Sequence, residues 1–269
     1  MMKKIFRNAW LSIVLLFMYL PIIVLAIYSF TDTAIIGTSG SFSMQNYVTL
    51  FTTDELKSMI GGTFLLAIGS AVFATILGTL GAIGVFYSKK GPKRALLLAN
   101  QIPVVNADVV TGFSICVLLI VVLGIEKETF VPMVIGHVAL GTPFVFLSVL
   151  PRLKQMDHSL YEAALDLGAN ARQALFRIVI PQLIPGIISG FFLAITLSLD
   201  DYFITTYTKP STFDTISTYV FNATKGSHTE IKTALWALST ILFVAIVLVV
   251  LVGNTLMNRK AGAGHEKND

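Results

Sequence analysis

Six apolar runs dominate this 269-residue chain, at about 9–30, 63–87, 96–123, 130–150, 184–207 and 234–257. Each approaches or exceeds the roughly 20 residues that cross a bilayer as a helix. Hydrocarbon offers the backbone no hydrogen-bond partners, so runs of this length must satisfy their own N–H and C=O groups as helices. The expected fold is an all-α membrane protein with six transmembrane helices and a single domain over 1–269. Composition agrees: 55% of residues are hydrophobic and 13% charged, against about 25% charged in soluble domains. High apolar content excludes a disordered chain, aperiodic glycines exclude a collagen-like one, and the single cysteine, Cys116, excludes a disulfide scaffold.

The first run follows Lys3, Lys4 and Arg7, as in a signal peptide. Its apolar stretch is too long for an h-region and has no small-residue cleavage site, so it reads as an uncleaved span. The net charge of +4 would suit nucleic acid if the cations were clustered, but they lie in blocks between spans. With the N-terminus in the cytoplasm, 14 of the 19 Lys and Arg fall on that side, including Lys89, Lys90, Lys93, Arg94, Arg152, Lys154, Arg172 and Arg177. The positive-inside rule therefore places both termini in the cytoplasm. The basic residues set orientation, and a nucleic-acid partner is not expected.

Two connections exceed simple turns. In 31–62, Tyr47, Leu50 and Phe51 can lie along the membrane interface; 151–183 is the cytoplasmic loop. Ala74, Gly78 and Ala82 recur every fourth residue in the second span, a face another helix can approach closely. Pro103 and Pro143 predict kinks in the third and fourth spans. In the cytoplasmic loop, Ser159 and Glu162 have capping-box spacing, so a helix is expected from Leu160 to a left-handed Gly168. A second begins at Asn170, with Gln173 three residues on, and is expected to end before Pro181. Ala163 and Ala164 allow a partner surface to come close, while Glu162 and Asp166 offer it negative charge.

Glu162-Ala163-Ala164, then Gly168, then Ile178 and Ile180-Pro181 at the spacing seen here resembles the EAA loop of bacterial ABC importer permeases, with Ile180 where that pattern usually has Leu. The resemblance extends over nearly the whole chain. Tyr19-Leu-Pro-Ile-Ile-Val and Ser198-Leu-Asp-Asp-Tyr-Phe-Ile-Thr are similar to the spermidine/putrescine permeases of that family. It implies the type I (MetI-like) permease fold in the bacterial cell membrane. The implied partners are a second permease in a PotB-like heterodimer, two ATPase subunits and an external polyamine-binding protein. In this reading Ser159, Glu162, Ala163, Ala164, Asp166, Gly168, Ile178 and Pro181 form the ATPase-coupling loop. The chain itself binds no cofactor, and ATP-Mg belongs to the ATPase subunits.

Three carboxylates lie within apolar runs: Asp108 in the third, and Asp200 and Asp201 in the fifth. Each costs about 2.5–3.5 kcal/mol at a helix centre, against about 0.3–0.6 returned by an apolar residue. They are expected to face a cavity. In continuous helices Asp108 would stand about 18 Å and Asp200 about 24 Å from the cytoplasmic end. No Lys or Arg stands inside a span, so a transported cation is their natural partner. A polyamine suits them, with Tyr202 and Phe203 offering cation–π faces. Asp108, Asp200, Asp201 and Tyr202 are thus the candidate substrate pathway. Competing roles are structural: Asp201 capping an internal helix break, or Asp108 bonded to Asn106.

Enzyme readings are weaker. Adjacent Asp200 and Asp201 diverge by about 100° on a helix, unlike the facing pair of an aspartyl protease. Gly37-Thr38-Ser39-Gly40 superficially matches an intramembrane serine-protease motif but lies in a polar loop. His137 has no second His or Cys placed to complete a metal site, and no GxxxxGK[ST] phosphate loop occurs. The expected function is ATP-driven polyamine import with hydrolysis in a partner chain. Alternatives are the same machine with a metal ion, amino acid or opine, and an ion-coupled secondary carrier.

Overall fold

The computed structural model describes residues 2–33, 40–157, 159–225, 233–244 and 247–248. Gly37-Thr38-Ser39, and the sixth apolar run beyond Val244 apart from 247–248, lie outside the described residues. Among the described residues the fold is all-helical, with one isolated antiparallel bridge between Thr31 and Phe42. The chain divides into two units, one of 1–57 with 220–269, the other Ser58–Tyr219.

In the first unit, α1 (Met2–Ser29) supplies the apolar span Trp10–Ser29. Two aromatic contacts join it to α11 (Thr233–Val244), Tyr19 to Phe243 and Tyr28 edge-on to Trp236. The loop after α1 folds back through α2 (Gln45–Thr52), where the Asn46 amide donates to the carbonyls of Ser29 and Thr31, both at 2.9 Å. Leu50 is fully buried, correcting its expected place at the membrane interface; Phe51 is exposed.

The second unit is built on α3 (Asp54–Tyr87, which begins in the first), α6 (Val131–Gln155) and α9 (Ile180–Asp200). Their core joins Ala71, Ala74, Ala82 and Val85 to Val145, Val149, Leu153 and Leu183. Small residues let these backbones approach, as the sequence anticipates for the second span. A Cβ on Gly78 would stand 2.7 Å from Val145 Cβ and 2.8 Å from the Thr142 carbonyl; one on Gly141 would stand 3.1 Å from Ala74 Cβ. With lipid on the outside, such close packing takes over much of the role that hydrophobic burial has in water.

Two expected spans are interrupted. The third is a pair, α4 (Lys90–Val105) and α5 (Asp108–Cys116), the latter continued by a π-helical turn to Val122, with a bend of 107° between the two pieces. A kink from Pro103 was the expectation; the chain breaks fully at Asn106-Ala107, both extended. The fifth span ends at Asp200 rather than running to 207, and a separate short helix, α10 (Phe203–Thr208), follows. Described helices long and apolar enough to cross a membrane are therefore four, or five with the bent pair.

Gly78 gives a sharp test. Gly78→Ala should lower the melting temperature of the purified protein, as overpacking of about 1–3 kcal/mol predicts. Gly84→Ala, on the same helix with nothing within 4 Å of the added methyl, should leave it unchanged or raise it slightly.

Candidate functional site

Both helix breaks fall within the expected apolar runs, and the helices that follow them meet. A Cβ on Gly112 of α5 would stand 3.1 Å from both Cα and N of Ile204 in α10, and one on Gly136 of α6 would stand 2.6 Å from Ile204 Cγ2. Ile204 is completely buried between them. The glycines thus let the short helix after one break rest on the helix that opens at the other.

The second break is held by Asp201. Its carboxylate accepts from the backbone N–H groups of Ile204 (3.2 Å) and Thr205 (2.7 Å) and from the Thr205 hydroxyl (2.8 Å). These are N–H groups that the opening turn of a helix leaves unmatched. Behind it stands His137 of α6, buried, with Nδ1 2.7 Å from Ser198 Oγ and Nε2 3.0 Å from Thr205 Oγ. Nε2 lies 3.8 Å from Asp201 Oδ2, and Ser70 of α3 reaches Ser198 at 3.4 Å.

The four predicted pathway residues therefore separate. Asp201 is buried and engaged as a cap, the structural alternative weighed above, and His137 is fully partnered. Asp200, the last residue of α9, is exposed; Tyr202 is half-buried, its ring edge-on to Phe203. Asp108 is exposed in the first turn of α5, just past the bend, so its depth cannot be counted along one helix. Asn106 donates to Thr111 at 3.1 Å, not to Asp108 as the structural alternative had it. Ser70 carries no distinctive pattern in its apolar helix, and Ser198 and Thr205, the ends of the quoted motif, take their roles from His137, distant in sequence.

The 151–183 loop folds largely as its signals direct. The helix α7 (Ser159–Asp166) ends in a Schellman motif: Gly168 has φ +86°, its N–H bonds to Leu165 O, and the Ala169 N–H bonds to Ala164 O. Asn170 and Gln173 form the expected reciprocal cap of α8 (Ala171–Ala174), at 2.8 and 3.0 Å. Two details differ. The helix includes Ser159, whose N–H is met by the Asp157 carboxylate at 2.9 Å, so the cap stands two residues earlier than expected. Nor does Pro181 end the second helix. A π-helical turn, Leu175–Val179, sends the Ile180 N–H to Leu175 O, and this wider turn accommodates the proline ring. One helical run thus extends from Ala171 to Asp200. Glu162, Ala163, Asp166, Gly168 and Pro181 are exposed, Ala164 and Ile178 half-buried.

At the end of the unit that holds α10, Glu128 clips two loops together by accepting from the Ser211 N–H (2.9 Å) and hydroxyl (2.7 Å). These two bonds hold the Glu128 carboxyl below its ordinary value. The clip is therefore fully formed at and above the usual glutamate range and is lost as pH falls through the lowered value. Hydrogen exchange should find the Ser211 amide protected at neutral pH and unprotected in strong acid. Glu128→Gln should reduce that protection at neutral pH and abolish its dependence on acid.

Paired helix breaks among long apolar helices are an arrangement that multi-pass membrane transporters use. The comparisons say which. The family model described as binding-protein-dependent transport system inner membrane component matches residues 102–262. The putrescine transport system permease protein PotI of Escherichia coli (strain K12) is 31% identical over 94% of this chain and 92% of its own. The spermidine/putrescine transport system permease protein PotC of the same strain is 28% identical over 98% of both, and PotC of Haemophilus influenzae is 31% identical over 93% and 96%. A solved bacterial ABC transporter involved in importing the acidic polysaccharide alginate aligns over 96% of this chain and 98% of its own, with TM-score 0.68 and 21% identity. The chain belongs to the family of binding-protein-dependent transport system inner membrane components, the permeases of ABC importers.

Proposed function

We propose that this permease carries polyamines, spermidine or putrescine, into the cytoplasm, and that Asp200 is the carboxylate most directly exposed to them. The observation that carries the reading is the close seat of Ile204 on Gly112. Gly112 stands one helical turn after Asp108, and Ile204 stands four residues after Asp200, so two exposed carboxylates flank one contact.

Electrostatics ranks the acids. Asp108 and Asp201 both sit at helix N-termini, where the aligned backbone dipoles favour an anion. Asp200 closes α9, where those dipoles disfavour one, and among the described residues no Lys or Arg pairs with it. It therefore gains most from a passing ammonium group. A polyamine alternates such groups with alkyl stems, and half-buried Tyr202 beside Asp200 offers a cation–π face. The names of the relatives point the same way. The alginate importer has the same fold, so the scaffold alone does not choose the cargo, and selection rests mainly with the external binding protein.

In the full assembly six spans hold both termini in the cytoplasm. A second permease stands alongside, two ATPase subunits bind beneath and hydrolyse ATP-Mg, and an external protein delivers substrate. ATP binding draws the ATPases together and the 159–181 loop follows, switching the spans between inward-open and outward-open forms. The test is uptake of labelled spermidine and putrescine by the whole importer in liposomes. Asp200→Asn should reduce uptake at least tenfold with assembly unchanged. Uptake at the wild-type rate in that variant would overturn the role of Asp200, and wild-type transport of neither polyamine would overturn the cargo.

A further inference from the structure

The hydrogen bonds around His137 have a direction that can be read from proton counts. Thr205 has one hydroxyl proton, and of the three groups within its reach, Asp201 Oδ2 at 2.8 Å, His137 Nε2 at 3.0 Å and the residue 201 carbonyl at 3.3 Å, the nearest is a carboxylate oxygen, which offers only lone pairs and so takes that proton. Toward His137 Nε2, 3.0 Å away, Thr205 can offer only a lone pair, so Nε2 must carry the proton. In the neutral ring Nδ1 is then bare and accepts from the Ser198 hydroxyl at 2.7 Å. Beyond Ser198, Ser70 has one hydroxyl proton, divided between the Ala67 carbonyl at 3.2 Å and the Ser198 hydroxyl at 3.4 Å. The 3.8 Å from Nε2 to Asp201 Oδ2 is beyond hydrogen-bond reach, so ring and carboxylate communicate through the Thr205 hydroxyl.

The chain thus runs one way, Ser198 to His137 to Thr205 to Asp201, and every member is buried. Its geometry relative to the helix break matters most. Ser198 lies two residues before Asp200, and Thr205 lies on the far side of the break. A single imidazole from a third helix therefore joins the two sides, with Asp200 between them.

We propose that His137 is a positioning residue for translocation: neutral, with its proton on Nε2, it staples α9 to α10 and so fixes where Asp200 points. The proposal rests on the reading of Asp200 as the acid facing the transported cation. It assigns His137 no contact with substrate. Leucine fills similar space but makes neither bond, whereas glutamine keeps one donor and one acceptor.

The test uses the whole importer, isolated from its membrane through a tag on this chain and reconstituted with its binding protein and labelled spermidine. His137→Leu should lower the maximal uptake rate at least tenfold with KM unchanged, and His137→Gln should retain at least a third of it. Because His137 acts through Asp200, adding His137→Leu to Asp200→Asn should cause no further loss. Multiplicative losses, or equal uptake by the leucine and glutamine variants, would overturn the proposal. If the leucine variant fails to assemble, nitrogen-15 spectra of histidine-labelled wild-type protein decide, with the His137 signals identified by their absence in His137→Gln. A neutral ring protonated on Nε2 is expected; an imidazolium or an Nδ1–H ring would overturn it. Normal transport by Asp200→Asn alone would remove the Asp200 reading, while the spectra would still report on the staple.

Discussion

A helix that starts amid packed apolar side chains needs acceptors for its first N–H groups, and such surroundings supply none. In this protein one carboxylate meets that need for α10. Asp201 takes two backbone N–H groups and a hydroxyl, and is itself backed by Thr205 and His137. Much else follows from that capped break. It allows α9 to end at Asp200, turns α10 against α5 and α6, and leaves the preceding acid outside the network. Two adjacent aspartates thereby come to differ in almost every physical respect: one buried and engaged, one exposed at the disfavoured end of a helix.

What could be read from the chain before folding was whatever is local. Apolar run length announces spans. Gly168 and the Asn170/Gln173 pair announce their turn and cap because those motifs close within a few residues. The offset at Asp157 shows the limit: Asp and Ser are both good caps, and spacing alone does not choose between neighbours. Pro181 misleads because the rule that proline ends a helix assumes α-helical hydrogen bonding, and the turn before it is wider.

The helix breaks were hidden for a different reason. Apolarity continues through Asn106-Ala107 and past Asp201 with scarcely a pause, and hydropathy does not register backbone direction. The partners of His137 come from two other helices, 61 and 68 residues along the chain. No periodic pattern encodes such an encounter. The acids themselves were legible by their cost, and their division of labour emerged only once each had a place relative to a helix end.

The π-helical turn at Leu175–Val179 has a mechanical consequence. By carrying the helix past Pro181 it makes the segment from Ala171 to Asp200 one rod of 30 residues, about 45 Å long at 1.5 Å per residue. A tilt of about 5° about its lower end swings the tip by about 4 Å, enough to separate a carboxylate from an ammonium group it had been touching. Small movements at the root of this lever are thus large movements for the charge at its end.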